Sequence, residues 1–173
     1  DIVASKYDIV ARCNSGGNAG HKVVVGNTSY AFHLVPSGIL NPNCIGIIGN
    51  GCVINLQDLH KEIDTIQNTL LKTQNDNDCD SDSDSDRDRD RDRDRDIDRD
   101  RDGRNNNIKK RLLISDRAHI VINAHKEADA SRELQKSNST NPKSVIGTTK
   151  QGMGPVYSTK ALRVGIRMCD IFL

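Results

Sequence analysis

Ile146–Arg167 reads IGTTKQGMGPVYSTKALRVGIR, and its chemistry organises the rest of the chain. Gly147, Gly152 and Gly154 surround Thr148, Thr149 and Lys150. Glycines let a backbone come close to a ligand, while threonine hydroxyls and amide N–H groups hold anionic oxygens. Pro155 follows, and then a run carrying Lys160, Arg163 and Arg167. The spacing predicts a helix from Lys160 to Phe172, with Leu162, Ile166 and Cys169 on one side. Lys160 and Arg163 then share a face, which Arg167 extends. The expectation is an anion-binding loop that feeds a basic helix.

A second glycine cluster, Gly16-Gly17-Asn18-Ala19-Gly20-His21, sits near the start of the chain. In their order and separation the two clusters resemble the adenylosuccinate synthetase family. Its first motif has the form GGxNAGHT and its second GxGPxYxxKxxR. The second is matched at Gly152, Gly154, Pro155, Tyr157, Lys160 and Arg163. HLVPSGILNP (His33 to Pro42), IGNGCVI (Ile48 to Ile54) and RLLISDRAH (Arg111 to His119) are also similar to the family. Several ungapped blocks in order are more specific than one glycine-rich pattern.

The resemblance implies a reaction. GTP phosphorylates the 6-oxygen of IMP, and L-aspartate displaces the phosphate to give adenylosuccinate, GDP and phosphate. This is the first committed step from IMP to AMP in purine biosynthesis. Mg²⁺ is implied as cofactor, neutralising charge in phosphoryl transfer. The catalytic residues implied are His21 and Lys160. His21 would donate a proton to phosphate, work suited to an imidazole near neutral pH. Asn18, Ala19, Gly20, His21, Thr149 and Arg163 are implied for IMP, and Gly20, His21 and Lys22 for GTP. The Gly20 carbonyl is the implied Mg²⁺ ligand. A homodimer is implied in which Arg163 reaches the partner's IMP phosphate, where a guanidinium forks bidentately.

The sequence departs from the family at two places. Lys22 stands where threonine is usual, and Asn14-Ser15-Gly16-Gly17 where the order is Gln-Gly-Gly-x. The family's phosphate loop, of the form GDEGKGK, is expected upstream of Asp1, and its guanine- and aspartate-binding loops beyond Leu173. The chain is thus expected to be an internal piece that gives no turnover alone. Two readings stand beside the ligase: a non-catalytic nucleotide-binding module, and an RNA-associated protein using an Asp/Arg tract.

That tract dominates the charge pattern. The 173 residues carry 25 Lys+Arg and 24 Asp+Glu, a formal net charge of +1. Between Asp76 and Arg104 lie 14 Asp and 8 Arg, a local balance of −6, so the remainder stands at +7. A basic remainder suits anionic ligands. The tract has almost no apolar content and is expected to be disordered. Because Asp outnumbers Arg, it attracts phosphate weakly, and nucleic acid is not the expected partner. The expected organisation is synthetase-like sequence over 1–73, a low-complexity insertion over 74–107, and a continuation over 108–173.

Five cysteines with no CxxC or CxxxC spacing argue against a disulfide framework or a zinc knuckle. No stretch reaches the ~20 apolar residues of a membrane span, and the expected location is cytoplasmic. His33, His60, His119 and His125 show no ligand spacing and read as structural or exposed.

Strands are predicted at Asp8–Arg12, His21–Val25, Tyr30–Val35, Cys44–Ile48, Arg111–Ser115 and His119–Ile122. Gly26-Asn27 joins the second and third as a hairpin, and Gly49-Asn50-Gly51 reads as a turn closing the fourth. Leu59, Ile63, Ile66 and Leu70 mark a helix capped by Asp58, and Asn123 caps another through Gln135. Ser137–Pro142 is loop chemistry. Strands alternating with helices make the fold class α/β. The resemblance implies a mixed-sheet, P-loop-like nucleotide-binding fold, here partial.

Overall fold

The computed structural model describes residues 4–77, 107–138 and 148–171. Most of the Asp/Arg tract, residues 139–142 of the expected loop, and Gly147 lie outside them.

The elements are β1 (Ile9–Ser15), β2 (His21–Val25), β3 (Thr28–Phe32), β4 (Ile45–Ile54), α1 (Leu56–Asn77), α2 (Ile108–Arg111), β5 (Leu112–Ile114), β6 (His119–Ile120), α3 (Asn123–Asn138) and α4 (Met153–Ala161). β4 is the centre of a four-stranded sheet in which β1, β5 and β6 all pair with it in parallel. Parallel strands are as a rule covered on both faces, and β4 carries the apolar runs this favours, with Ile48, Cys52, Val53 and Ile54 buried. Among the described residues, antiparallel strands pair only in the β2–β3 hairpin, turned at Gly26 with φ +58°. The expected α/β class is what the chain adopts.

α1 packs its predicted stripe inward: Leu59, Ile63 and Ile66 are buried against Phe32, Ile39, Ile48 and Ile54. Each such side chain contributes about 1.5–3 kcal/mol by leaving water. A smaller cluster of Val53, Val121 and Val156, with Met153 against it, fixes α4 to the sheet.

Several expectations need correction. β4 does not stop at Ile48; it runs through Gly49-Asn50-Gly51 to Ile54. Those glycines serve close approach. β1 slips register between Arg12 and Asn14, and a side chain at Gly51 would strike the Cys13 carbonyl. α1 begins at Leu56, and Asn55 caps it by accepting from the Asp58 N–H at 3.1 Å. Asp58 instead pairs with Lys126 at 3.0 Å. Arg111 closes α2, because its buried guanidinium donates to the carbonyls of Ile39, Asn41 and Cys44. α3 continues to Asn138, past the predicted end at Gln135 and into the expected Ser137 loop.

The largest correction concerns Lys160–Phe172. The helix there is α4, which starts at Met153 and ends at Ala161. Pro155 is tolerated in its first turn, where its missing N–H is no loss. Beyond Ala161 the Arg163 N–H donates to the Lys160 carbonyl and the Val164 N–H to the Thr159 carbonyl. That pair of bonds is a Schellman cap, and it puts Arg163 in the left-handed region at φ +61°. Lys160 and Arg163 therefore do not share a helical face. Met168–Ile171 forms a separate 3-10 turn.

Candidate functional site

The carboxyl ends of β1 and β4 lie side by side, with Ser15 opposite Cys52. In α/β sheets ligands bind outside such ends. The Gly16–Gly20 segment leaves β1 here and returns as β2 at His21. Asn18, Ala19, Gly20, His21 and Lys22 are all exposed. The His21 ring stacks on Phe32 with centroids 5.6 Å apart. A Cβ at Gly20 would stand 2.8 Å from His33 Nε2, so the exposed His33 ring would have to turn aside.

The second motif packs directly against the first. Gly16 is buried beneath Met153, whose sulfur leaves no room for a side chain. The Tyr157 hydroxyl accepts from the Ser15 N–H at 3.1 Å and donates to the Gly51 carbonyl at 3.1 Å. The Lys160 ammonium donates to the Asn50 carbonyl and lies 5.8 Å from the Tyr157 ring centroid. Burial pushes the Tyr157 phenol and the Cys52 thiol up, opposed at both by the Arg12 charge. Burial likewise pushes the His119 imidazole down, and the Lys160 charge adds to it.

Gly152 caps α4 at φ +74°, and a Cβ there would meet the His125 and Lys126 backbone within 3 Å. Its N–H donates to the buried Asp129 carboxylate at 3.1 Å. Thr148, Thr149 and Lys150 precede it, exposed. Gly17 and Gln151 line one cleft of about 420 Å³, together with His33, Asn55, Glu62 and Lys126. Glu62 closes one side of it by accepting from the N–H groups of His33, Leu34 and Val35 at 2.6, 2.9 and 3.1 Å.

Gly17 of the glycine turn and Gln151, just after the threonine loop, thus meet at one cleft, whereas Asn18, Ala19, Gly20, His21, Lys22 and Thr149 are not among its lining residues. Arg163 stands apart, past the far end of α4 and, at ~1.5 Å per residue, roughly 15 Å along from Gly152. Arg167 does not extend a basic face. Its guanidinium pairs with Asp170 at 2.9 Å, and that pairing holds the Asp170 carboxyl down at about 2.

Backbone strain marks the same motifs. The non-glycine residues with positive φ among the described residues are Ser15 (85°), Lys150 (53°) and Arg163 (61°). Such strain persists where the surroundings over-determine it and gathers at functional sites. Composition carries no signal of it. Sequence reasoning also gave no role to the Tyr157 hydroxyl, to Asp129 or to Glu62, whose partners are backbone groups distant in sequence.

A mainly parallel sheet with a glycine turn at its carboxyl edge, gripped at Ser15 and Gly16 by a glycine-capped helix, defines an α/β protein with a cleft beside that edge. The sequence profile of the adenylosuccinate synthetase family matches residues 1–82 and 96–173. The chain belongs to that family. It is 43% identical over 171 residues to adenylosuccinate synthetase of Trichoplax adhaerens, covering 99% of this chain and 30% of that protein. It is 41% identical to the Dictyostelium discoideum enzyme, over 99% of this chain and 32% of the relative. Its fold matches fully ligated adenylosuccinate synthetase of Plasmodium falciparum with a TM-score of 0.70 at 32% identity, over 98% of this chain and 30% of that one. The chain spans about a third of the length of these relatives.

Proposed function

We propose that the full-length protein carrying this chain is a GTP-dependent ligase that joins L-aspartate to IMP, giving adenylosuccinate, GDP and phosphate. The observation that carries this reading is the contact of α4 with Ser15 and Gly16, at the head of the turn that leads to His21, with positive φ at Ser15, Lys150 and Arg163. His21 donates a proton to the phosphate oxygens. Asn18, Ala19, Gly20 and Thr149 contact IMP through amide, backbone and hydroxyl groups. Lys22 pairs with GTP phosphate as a point charge, in place of the usual threonine hydroxyl. Lys160 acts beside them, and its hold on the Asn50 carbonyl sets where its charge stands.

Arg163 reaches the IMP phosphate of a second copy in a homodimer. It is exposed between Leu162 and Val164, each 72% exposed, at a position where glycine would be easier to place. Strain in an outward-facing arginine supports a role outside its own subunit.

Among the described residues no three His, Cys, Asp or Glu side chains converge as a metal site. Mg²⁺ often takes few protein ligands beside substrate phosphates, so a lone carbonyl at exposed Gly20 fits as one ligand. When bound, the ion would neutralise charge on the transferring phosphoryl group. No helix among the described residues is long and apolar enough to cross a membrane. The cytoplasmic location we propose rests on the family alone. The test is His21→Ala in the full-length protein. The expected loss in kcat is about 10²–10⁴-fold. Unchanged turnover would remove His21 from the chemistry.

A further inference from the structure

Tyr157 makes contacts that no substrate role requires. Its hydroxyl sits between the Ser15 N–H and the Gly51 carbonyl, one on β1 and one on β4, each at 3.1 Å. Both strands are irregular there. β1 slips register between Arg12 and Asn14, and the Cys52 thiol donates to the Arg12 carbonyl at 3.3 Å. Nearby, Ser15 has φ +85°, a conformation that L side chains rarely adopt. The next residues are the Gly16–Gly20 turn, and then His21.

The geometry points to Tyr157 as a positioning residue: its hydroxyl holds Ser15 in the left-handed region and so aims the turn that presents His21. Three observations support this. The two bonds tie the last residue of β1 to the bulged strand pair. Met153, one turn earlier on α4, covers Gly16 and blocks the turn from moving toward the helix. Lys160, three residues later, fixes the other side by its bond to the Asn50 carbonyl. One face of α4 thus grips Asn50, Gly51, Ser15 and Gly16. Both bonds of the Tyr157 hydroxyl go to backbone groups, so its action is through Ser15.

The inference rests on the ligase reading for its consequence, but the hold itself can be read without activity. The experiment compares the full-length protein with Tyr157→Phe, and with Tyr157→Phe combined with Ser15→Gly. Phenylalanine keeps the ring beside Lys160 and removes only the hydroxyl. Amide hydrogen exchange at Ser15 should quicken about three- to tenfold in Tyr157→Phe, the size of one net hydrogen bond. kcat should fall between about ten- and a hundredfold, with KM for IMP and GTP within about twofold, as misaimed groups do. Glycine enters positive φ freely, so adding Ser15→Gly should recover most of the lost kcat while the residue-15 amide still exchanges fast. A merely structural tyrosine would not give that split.

Unchanged exchange at Ser15 in Tyr157→Phe would overturn the hold. Quickened exchange with unchanged kcat, or with a loss that Ser15→Gly does not recover, would overturn the positioning role. If the full-length wild type makes no adenylosuccinate, the ligase reading fails, and the Ser15 exchange rate still decides the hold.

Discussion

On the proposed reading, Arg163 sets stability against function. It occupies the left-handed position of a Schellman cap, where glycine has no steric cost. Arg163→Gly should therefore raise stability by about 1 kcal/mol, read from the urea midpoint, and lower turnover of the full-length protein. An arginine replaced with no loss of turnover would contradict its role across the dimer. Asp170 gives a second residue-scale prediction. Its folded-state pKa, about 2, lies below its ordinary value of 3.8, so its contribution is present above that value and is lost as pH falls from about 4 to about 2. The carboxyl carbon of Asp170 should titrate near 2 by NMR, and Arg167→Gln should return it toward the ordinary carboxylate range. No movement would mean the ion pair does not form in solution.

The glycines separate at the level of elements. Gly51 sits against the Cys13 carbonyl and Gly152 against the α3 backbone, so alanine at either must displace main chain. We expect each to cost about 1–3 kcal/mol by overpacking, with Gly152→Ala adding strain at φ +74°. Gly154 lies within α4 with nothing in reach of a Cβ, and Gly154→Ala should stabilise by about 0.5–1 kcal/mol. Denaturant midpoints for the three substitutions check the ordering. β6 and α3 add a pH effect. Burial depresses the pKa of His119 and His125, so the unfolded chain takes up those protons first. Stability should fall as pH drops below about 6.5, the ordinary histidine value.

The apolar stripe of α1 was legible because Leu59, Ile63 and Ile66 repeat with the helical period and all are buried. β2 and β3 were legible from the Gly26-Asn27 turn. The path of β4 was not, because Gly49 and Gly51 look identical whether they turn a chain or admit a neighbour. The end of α4 was hidden for a related reason. Its left-handed cap is an arginine, and the apolar spacing of Leu162, Ile166 and Cys169 imitates a continuing helix.

For the whole molecule, both glycine motifs were recognisable as motifs, and their order pointed to the family. What sequence could not supply is the contact between them, made by Tyr157, Met153 and Lys160 across more than a hundred positions. The charge split operates at this scale too. The family profile leaves residues 83–95 unmatched, inside the Asp/Arg tract. Loop length changes stability only by about 0.6 kcal/mol per doubling. Deleting Asp80–Asp102 from the full-length protein should therefore leave adenylosuccinate formation within about twofold; loss of activity would tie the tract to the reaction.

The central claim is that the asparagine–histidine turn and the threonine loop serve one purine nucleotide. Amide hydrogen exchange on the full-length protein, with and without IMP, tests it most directly. IMP should slow exchange in both Gly16–His21 and Thr148–Gly152. Protection of one segment while the other exchanges as before would contradict the claim.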